Sequence, residues 1–154
     1  MKKRDTILCI IFLALSLYAQ NFRKITTGDI VHDGGGSISC SWGDYDNDGL
    51  LDLFVANLGG TNFLYRNLGN DTFEKISSGP IVTMGALSFS GSWGDYDNDG
   101  YLDLFVACSG NNILFHNNGD GTFRNITNGA IVTDGGFSTI GAWADYNNDG
   151  IVDL

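Results

Sequence analysis

The stretch WGDYDNDG occupies residues 42–49, returns unchanged at residues 93–100, and appears again as WADYNNDG at residues 143–150. The starts of these stretches are 51 and 50 residues apart. A period of about 20–50 residues is typical of solenoids, propellers and other repeat arrays. We therefore expect a repeat fold, in which each unit buries its apolar face against its neighbours.

Each period is built of short strands and turns. The strands predicted in the first copy cover residues 37–42, 51–56, 62–66 and 72–76, with turns at Gly59-Gly60 and at residues 69–71. The second copy of the last turn, NNGDG at residues 117–121, is a strong hairpin signal. Helical periodicity is absent after residue 20, so the sequence predicts an all-β fold of four-stranded antiparallel units.

Four strands in about 50 residues match one blade of a β-propeller, whereas the coils of a β-solenoid, the alternative, are usually shorter. Residues 22–26 match the fourth strand of the unit without the three inner strands before them, and the sequence stops inside a repeat. We therefore expect an incomplete propeller with two full blades and part of a third. The repeat units lie at about 27–77, 78–127 and 128–154, within a propeller region of residues 21–154.

The first twenty residues differ from the rest. Three basic residues precede an apolar run from Ile7 to Leu17, and Tyr18-Ala19-Gln20 closes it. This order is typical of a secretory signal peptide, and the run is shorter than the ~20 apolar residues of a membrane-spanning helix. We expect residues 1–20 to be removed on export, which leaves a protein that is secreted or held at the cell surface and not inserted in the membrane.

The charge of the remaining chain is strongly negative. The full sequence has a formal charge of −10, and removal of residues 1–20, which carry three basic residues and one acidic residue, brings it to −12. Without a basic stripe, binding to nucleic acid or to anionic lipid is excluded. Two cysteines remain, Cys40 and Cys108, and they occupy different repeat positions. We expect both to be buried free thiols, because unpaired cysteine is often buried.

The acidic residues concentrate in the three repeated stretches. Within each one, side-chain oxygens stand at positions 1, 3, 5 and 9 of a loop, and a backbone carbonyl is available at position 7. Calcium takes 6–8 oxygen ligands in a flexible geometry, and the loop glycine allows the sharp turn that brings the ligands together. The predicted ligands are Asp44, Asp46, Asp48, Leu50 (carbonyl) and Asp52 in loop 1; Asp95, Asp97, Asp99, Tyr101 (carbonyl) and Asp103 in loop 2; and Asp145, Asn147, Asp149, Ile151 (carbonyl) and Asp153 in loop 3.

Electrostatic repulsion indicates that these loops need a cation. Two carboxylates about 4 Å apart repel by roughly 4 kcal/mol at an effective dielectric near 20. Asn147 replaces one aspartate in loop 3, so loop 3 is predicted to bind calcium most weakly. Affinities on the order of 10⁻⁴–10⁻³ M are expected, as in other extracellular modules.

Two alternatives to a calcium loop of this kind fit less well. An EF-hand has a glutamate at position 12 and helical flanks, whereas position 12 is Val55 or Val106 here and the flanks are strands. Simple turn chemistry accounts for Asp, Asn and Gly in a hairpin. It does not account for the aspartate at position 9 in all three copies.

The second copy carries a family resemblance. The run GSWGDYDNDGYLDLFV at residues 91–106, followed by LFHNNGDGTF at residues 114–123, resembles FG-GAP/VCBS repeats, as in the N-terminal propeller of integrin α subunits and related bacterial surface proteins. The resemblance covers nearly all of residues 22–154. It implies a propeller that holds calcium in the hairpin loops between neighbouring strands of a blade and that serves adhesion or ligand binding.

The other conspicuous side chains have simpler interpretations. Trp42, Trp93 and Trp143 are expected to pack between blades, because large aromatic residues dominate burial, and Tyr45, Tyr96 and Tyr146 to lie beside the ion. His32 and His116 align with Thr83 and Tyr65, at unrelated repeat positions. On that alignment a histidine metal site is not expected.

Two functions remain open. The first is a calcium-stiffened extracellular propeller that binds a protein or glycan. The second is a non-catalytic propeller domain of a larger secreted enzyme that acts on polysaccharides or phospholipids. Neither a G-x-S-x-G nor an H-E-x-x-H motif occurs in the sequence, and catalysis needs a nucleophile, base or open metal position in a pocket. We therefore expect no enzymatic activity from this chain itself.

Overall fold

The computed structural model describes residues 23–154, and the predicted signal peptide at residues 1–20 lies outside the described residues. The first repeat contains the short helix α1 (Asp29–His32) and the strands β1 (Ser37–Gly43), β2 (Asp52–Thr61), β3 (Phe63–Asn67) and β4 (Phe73–Lys75). Each strand pairs antiparallel with the next along the chain. All four predicted strands of this unit are present.

The second repeat forms the same unit. It contains α2 (Pro80–Thr83), β5 (Gly85–Gly94), β6 (Asp103–Cys108), β7 (Ile113–Asn117) and β8 (Phe123–Ile126), again with consecutive antiparallel pairing. The two sheets are joined where the end of β2 pairs with the start of β5, with Leu58 opposite Leu87 and Thr61 opposite Gly85. The predicted turn at Gly59-Gly60 is present: β2 and β3 pair antiparallel on either side of it, and Asn57 closes it with bonds of 2.7 Å to the Thr61 carbonyl and 3.1 Å to the Asn62 side chain. β2 extends to Thr61 because these turn residues also pair with β5 of the next repeat. Both glycines have positive φ, 87° and 84°, which is the backbone freedom this bend requires.

The third repeat is partial. It contains α3 (Ala130–Thr133) and two isolated bridges, Ser109 with Phe137 and Ala144 with Asp153. Residues 22–26 were expected to form a fourth strand without its three partners. The described part of this segment, residues 23–26, is not in a strand, so that prediction is wrong. The architecture is all-β, and a curled set of antiparallel sheets of this kind is consistent with part of a β-propeller.

The core lies between the sheets of neighbouring repeats. Every residue of β6 is buried, which explains its continuous apolar run, because the strand is covered on both faces. Phe54, Leu64, Leu104, Val106 and Phe115 form the centre of the main cluster, with exposed fractions of 4% or less. The neighbouring sheets touch closely: a Cβ added at Gly91 would lie 2.4 Å from the ring of Phe54.

The three helices were not expected from the sequence. Each is one turn long and starts after a glycine with φ between 90° and 111°, at Gly28, Gly79 and Gly129. The Thr83 hydroxyl donates to the Gly79 carbonyl at 2.8 Å, and Thr133 does the same to Gly129 at 2.9 Å. A single turn is too short to show a 3.6-residue period, which is why the pattern did not reveal it.

The tryptophans join consecutive repeats. Trp93 and Trp143 each donate from Nε1 to a carbonyl of the preceding repeat, at 3.4 Å to Ser41 and 3.1 Å to Ser92. Packing of these two side chains between repeats is thus confirmed. Trp42 differs, because it is 51% exposed and contacts Phe73 of its own repeat.

Cys40 and Cys108, the two cysteines in the described part of the chain, are free, but only Cys108 is buried. Cys40 is exposed, which corrects the expectation that both would be buried; it lies on β1, whose outer face is uncovered in this part of the chain. No helix among the described residues combines the length and the apolar character that crossing a bilayer would require.

Candidate metal centre

The acidic loops connect the first two strands of each repeat. Loop 1 (residues 44–52) joins β1 to β2 and includes the first residue of β2, and loop 2 (residues 95–103) joins β5 to β6 in the same way. Loop 3 (residues 145–153) begins after Ala144 and ends at Asp153, the bridge partner of Ala144. The same backbone path recurs in all three, with left-handed φ values of 57–59° at the fourth position and 88–91° at the sixth. Asparagine and glycine occupy these positions because they adopt this conformation most readily. The residues concerned are Asn47, Asn98 and Asn148 at the fourth position and Gly49, Gly100 and Gly150 at the sixth.

The first aspartate of each loop holds the turn closed. The two oxygens of Asp44 accept the N–H groups of Asp48 and Gly49 at 3.1 and 2.9 Å. Asp95 and Asp145 repeat this pattern at 2.9–3.0 Å. A carboxylate offers about four lone-pair sites, so these hydrogen bonds leave oxygen lone pairs available to a cation. These hydrogen bonds fix the shape of the loop and still leave carboxylate oxygens free to act as metal ligands.

The residue at position 7 of each loop is held by a hydrogen bond of its backbone N–H. The N–H groups of Leu50, Tyr101 and Ile151 each donate to the position-5 aspartate at 2.9 Å. This bond fixes the peptide that follows the loop glycine. Metal ligation by the three carbonyls stays a prediction.

The aspartate at position 9 is buried and ties the loop to the third strand. Asp52 is fully buried and accepts N–H groups from Tyr45 at 3.1 Å and from Asn67 at 2.8 Å. Asp103 makes the corresponding bonds from Tyr96 and Asn117, also at 3.1 and 2.8 Å.

Burial raises the pKa of both position-9 carboxyls, Asp52 and Asp103, to about 6, and their hydrogen bonds from backbone N–H groups oppose this rise only in part. A nearby cation would compensate the cost of holding these buried charges. The carboxylate of Asp153 accepts only the N–H of Tyr146, at 3.3 Å, among the described residues.

Two loops bring carboxylates close enough to share an ion. One oxygen from each of Asp44, Asp46 and Asp48 lies within 4.8 Å of the others in loop 1, and the same holds for Asp95, Asp97 and Asp103 in loop 2. These are hard oxygen donors, the ligand type that calcium and magnesium take. The residues therefore fit a divalent cation. Among the described residues, Asp145, Asn147, Asp149 and Asp153 of loop 3 do not form such an acidic group.

A basic side chain from the third strand reaches each of the first two loops. Arg66 on β3 lies with Nε 2.6 Å from Asp46 and with Nη2 3.1 Å from Asp48. His116 on β7 lies with Nδ1 3.2 Å from Asp97 and 3.3 Å from Asp103. The strand registers show that His116 corresponds to Arg66, since their following residues, Asn67 and Asn117, face Phe73 and Phe123. The alignment of His116 with Tyr65 was therefore wrong, and the argument against a histidine metal site, which rested on that alignment, no longer holds.

Neighbouring loops are linked by hydrogen bonds. Asn47 of loop 1 donates to the Gly100 carbonyl of loop 2 at 3.0 Å, and Asn98 donates to Gly150 of loop 3 at 2.8 Å. Asn117 adds a buried bond of 2.7 Å to the Tyr45 carbonyl. The three loops therefore form a connected series along one edge of the molecule.

Tyr45, expected beside the ion, belongs to the apolar core instead. It is 4% exposed, stacks on Trp93 at 6.2 Å and contacts Phe123. Tyr146 is 79% exposed. Tyr45 is buried because its side chain reaches Trp93 and Phe123 of the second repeat.

Sequence reasoning missed Arg66, His116 and the two linking asparagines, Asn47 and Asn98. The sequence contains a signal for Arg66 and His116, because each directly precedes an Asn-x-Gly stretch, at residues 67–69 and 117–119. Aligning on these asparagines would have placed Arg66 with His116. The contacts between loops leave no comparable trace, because asparagine is also an ordinary turn residue.

Comparison with known proteins agrees with these observations. The family model of the FG-GAP-like repeat matches the chain twice, over residues 44–106 and 95–154. Each match begins at the first aspartate of a loop and continues into the following repeat. A search of curated proteins returned no match. The matched residues cover more than half of the sequence, and the chain belongs to the FG-GAP-like repeat family.

Proposed function

We propose that this chain is a calcium-binding β-propeller module of an exported protein, and that it serves adhesion by binding an extracellular protein or glycan. The observation that carries the proposal is the repeated loop in which carboxylate oxygens converge to within 4.8 Å of one another. In this proposal the units at about residues 27–77 and 78–127 are two complete blades, and residues 128–154 begin a third.

Calcium is the cation that this donor set favours. The loops supply several carboxylates on a flexible turn, and calcium accepts irregular arrangements of 6–8 oxygens, whereas magnesium demands a near-ideal octahedron and retains its waters. The buried carboxylates of Asp52 and Asp103 add a reason, because a bound cation offsets the cost of their burial. The ion would connect the turn to the buried start of β2 or β6.

Export and binding rest on other features. The basic and apolar pattern of residues 1–20 favours export through a signal peptide. The negative charge excludes polyanionic partners and is compatible with proteins or neutral glycans. The acidic residues act in loop closure and ion binding, and the chain has no catalytic role in this proposal.

Calcium titration of the full chain tests the metal. Isothermal titration calorimetry should detect uptake with a Kd on the order of 10⁻⁴–10⁻³ M, and EDTA should lower the Tm. The double variant Asp44→Asn, Asp95→Asn keeps amide oxygens in both turns and should reduce the number of ions bound. Absence of heat on titration, together with a Tm that EDTA does not change, would refute the calcium proposal.

The binding role needs its own measurement. The chain, with and without calcium, is applied to arrays of extracellular matrix proteins and of glycans. Retention that EDTA abolishes would support a calcium-dependent adhesion module. A chain that folds and binds calcium, but is retained by none of the ligands on either array, would count against adhesion and leave calcium binding in place.

A further inference from the structure

Loops 1 and 2 are each reached by a different basic side chain. Arg66 and His116 occupy the same place in their repeats, on the third strand, and both point their nitrogen atoms at loop carboxylates. The remaining loop residues are identical up to Gly49 and Gly100. The loops also differ at position 7, Leu50 against Tyr101, but the expected ligand there is the backbone carbonyl. The difference in side chains that could bind an ion therefore lies at Arg66 and His116.

Arg66 cannot bind a metal. A guanidinium is always charged and offers donors without a free lone pair. Its two nitrogens already lie 2.6 Å from Asp46 and 3.1 Å from Asp48. Loop 1 is thus left with oxygen atoms alone as ligands, and it carries a fixed positive charge beside two of them.

His116 offers an atom that can bind a metal. Its Nδ1 is enclosed by the protein and makes no hydrogen bond of good geometry with the described residues. It nevertheless lies 3.2 Å from Asp97 and 3.3 Å from Asp103. Asp97, Asp99 and His116 each contribute one ligand atom to a group whose members lie within 4.8 Å of one another. Loop 2 therefore combines an imidazole nitrogen with at least two carboxylates.

This ligand set has its own metal preference. Imidazole nitrogen suits zinc, cobalt, nickel and other first-row transition ions, whereas calcium takes oxygen. Arg124 lies opposite His116 across β7 and β8, but the four aspartates of loop 2 outweigh its single charge. We propose that loop 2 is a mixed nitrogen and oxygen site that binds a divalent transition metal ion through Nδ1 of His116 and the carboxylates of Asp97 and Asp99.

The inference deepens the proposed metal-binding function and rests on it only in part, because a transition metal could bind loop 2 even if calcium bound none of the loops. It separates the loops by chemistry: loop 1 is an oxygen site for calcium, and loop 2 also accepts a softer ion. His116, as the position that differs, sets this selectivity.

Cobalt(II) titration of the full chain tests the site. The visible absorption of bound cobalt reports nitrogen ligation, and zinc is then used to displace the cobalt. His116→Asn should lower cobalt and zinc affinity about tenfold or more and remove the nitrogen-dependent bands. Calcium affinity, measured in parallel, should change far less. Identical cobalt spectra and affinities for the wild type and His116→Asn would overturn the inference.

Two further variants keep the test decisive. His116→Arg installs the residue that loop 1 carries naturally, so it should fold and lose the cobalt bands even if His116→Asn does not fold. Arg66→His should create a second cobalt site of the same kind in loop 1. Survival of the nitrogen-dependent cobalt bands in His116→Arg would also overturn the inference.

Nuclear magnetic resonance supplies a readout independent of affinity. The sequence contains two histidines, His32 and His116, and His32 lies in α1, outside the loops. Zinc should shift the imidazole nitrogen resonances of His116 and leave those of His32 unchanged. Equal or absent shifts would refute the site. Calcium uptake combined with that result would show that this inference alone had failed, whereas a zinc shift without calcium uptake would show failure of the calcium proposal alone.

Discussion

The indole of Trp93 lies directly on Gly43 of the preceding repeat, so closely that a Cβ added at Gly43 would stand 2.7 Å from the ring. Trp143 lies on Gly94 in the same way, at 2.5 Å. The glycine that precedes each of the first two acidic loops is therefore also the surface on which the next repeat docks. This contact places consecutive loops side by side, and the asparagine bonds between them follow from it.

Gly43→Ala should destabilise the chain. The new methyl group would overlap with the indole of Trp93 and force it to move. Overpacking of this kind costs about 1–3 kcal/mol of unfolding free energy. The control is Gly34→Ala, since a Cβ at Gly34 would meet no atom within 4 Å. Urea unfolding followed by tryptophan fluorescence measures both variants. Equal stability of the two would contradict the packing described for Trp93.

Asp103→Ala should cost about 2–4 kcal/mol of unfolding free energy even without metal. The substitution leaves two N–H groups, those of Tyr96 and Asn117, without their carboxylate acceptor, and each lost partner of a buried group costs about 1–3 kcal/mol. Asp103→Asn keeps one acceptor oxygen and should cost less. The measurement is thermal unfolding in EDTA. If both variants matched the wild type in EDTA, the aspartate at position 9 would serve the ion alone.

Replacing the asparagine that links loops 2 and 3 should weaken the contact between these loops. Asn98→Ala loses the 2.8 Å bond to the Gly150 carbonyl, whereas Asn148→Ala, at the same left-handed position, loses no such bond to a described residue. Both variants pay the same backbone cost, so their difference isolates the hydrogen bond, at about 0.5–1.5 kcal/mol. Chemical denaturation of the two variants gives this difference. A difference near zero would mean that the bond contributes no net stability.

Asp33→Asn should make stability less dependent on pH. The carboxylate of Asp33 accepts bonds from Lys75 at 2.8 Å and from the Tyr65 hydroxyl at 2.5 Å, and these two partners lower the pKa of Asp33. Because the folded-state pKa lies below the unfolded value of about 3.9, the stabilisation is present above that value. It is lost as the pH falls through the folded pKa.

The wild type should therefore exceed Asp33→Asn by about 1 kcal/mol at pH 7, since the ion pair is partly exposed, and the gap should close in strong acid. Urea midpoints between pH 2 and pH 7 measure it. Asp134→Asn, at the same position after α3, is the control and should show no comparable gap. A gap that persists at pH 2 would rule out the ion pair as its source.

Asn147→Asp should raise the calcium affinity of loop 3. The change restores the fourth carboxylate that loops 1 and 2 carry, and added ligand charge strengthens calcium binding. The reciprocal variant, Asp97→Asn, should weaken loop 2 by a similar factor. Calcium titrations of both variants, compared with the wild type, test the pair. Loop 3 binding most tightly in the wild type would contradict the expected order.

The strands and the loops could be predicted from the sequence because each depends on nearby residues. Alternating or apolar runs gave the four strands of each unit, and the position-9 aspartates marked the ends of the loops. The errors concern features that local patterns do not encode. The pairing of the residues around the Gly59-Gly60 turn with β5 depends on the next repeat, and Tyr45 lies in the core because Trp93 and Phe123 come from that repeat too.

The sequence by itself determined the repeating unit, its all-β class and the oxygen-rich composition of its loops, since period, turn residues and ligand spacing are properties of the chain alone. The tertiary structure decided which side chains meet: Trp93 with Gly43, Asn47 with Gly100, and His116 with Asp97. These pairs are 19 to 53 residues apart. The first two pairs meet because of the angle at which one twisted sheet packs on the next, and that angle is set by the packing of whole sheets and not by any single repeat. His116 meets Asp97 within one repeat, because β7 pairs with β6 beside the loop that joins β5 to β6.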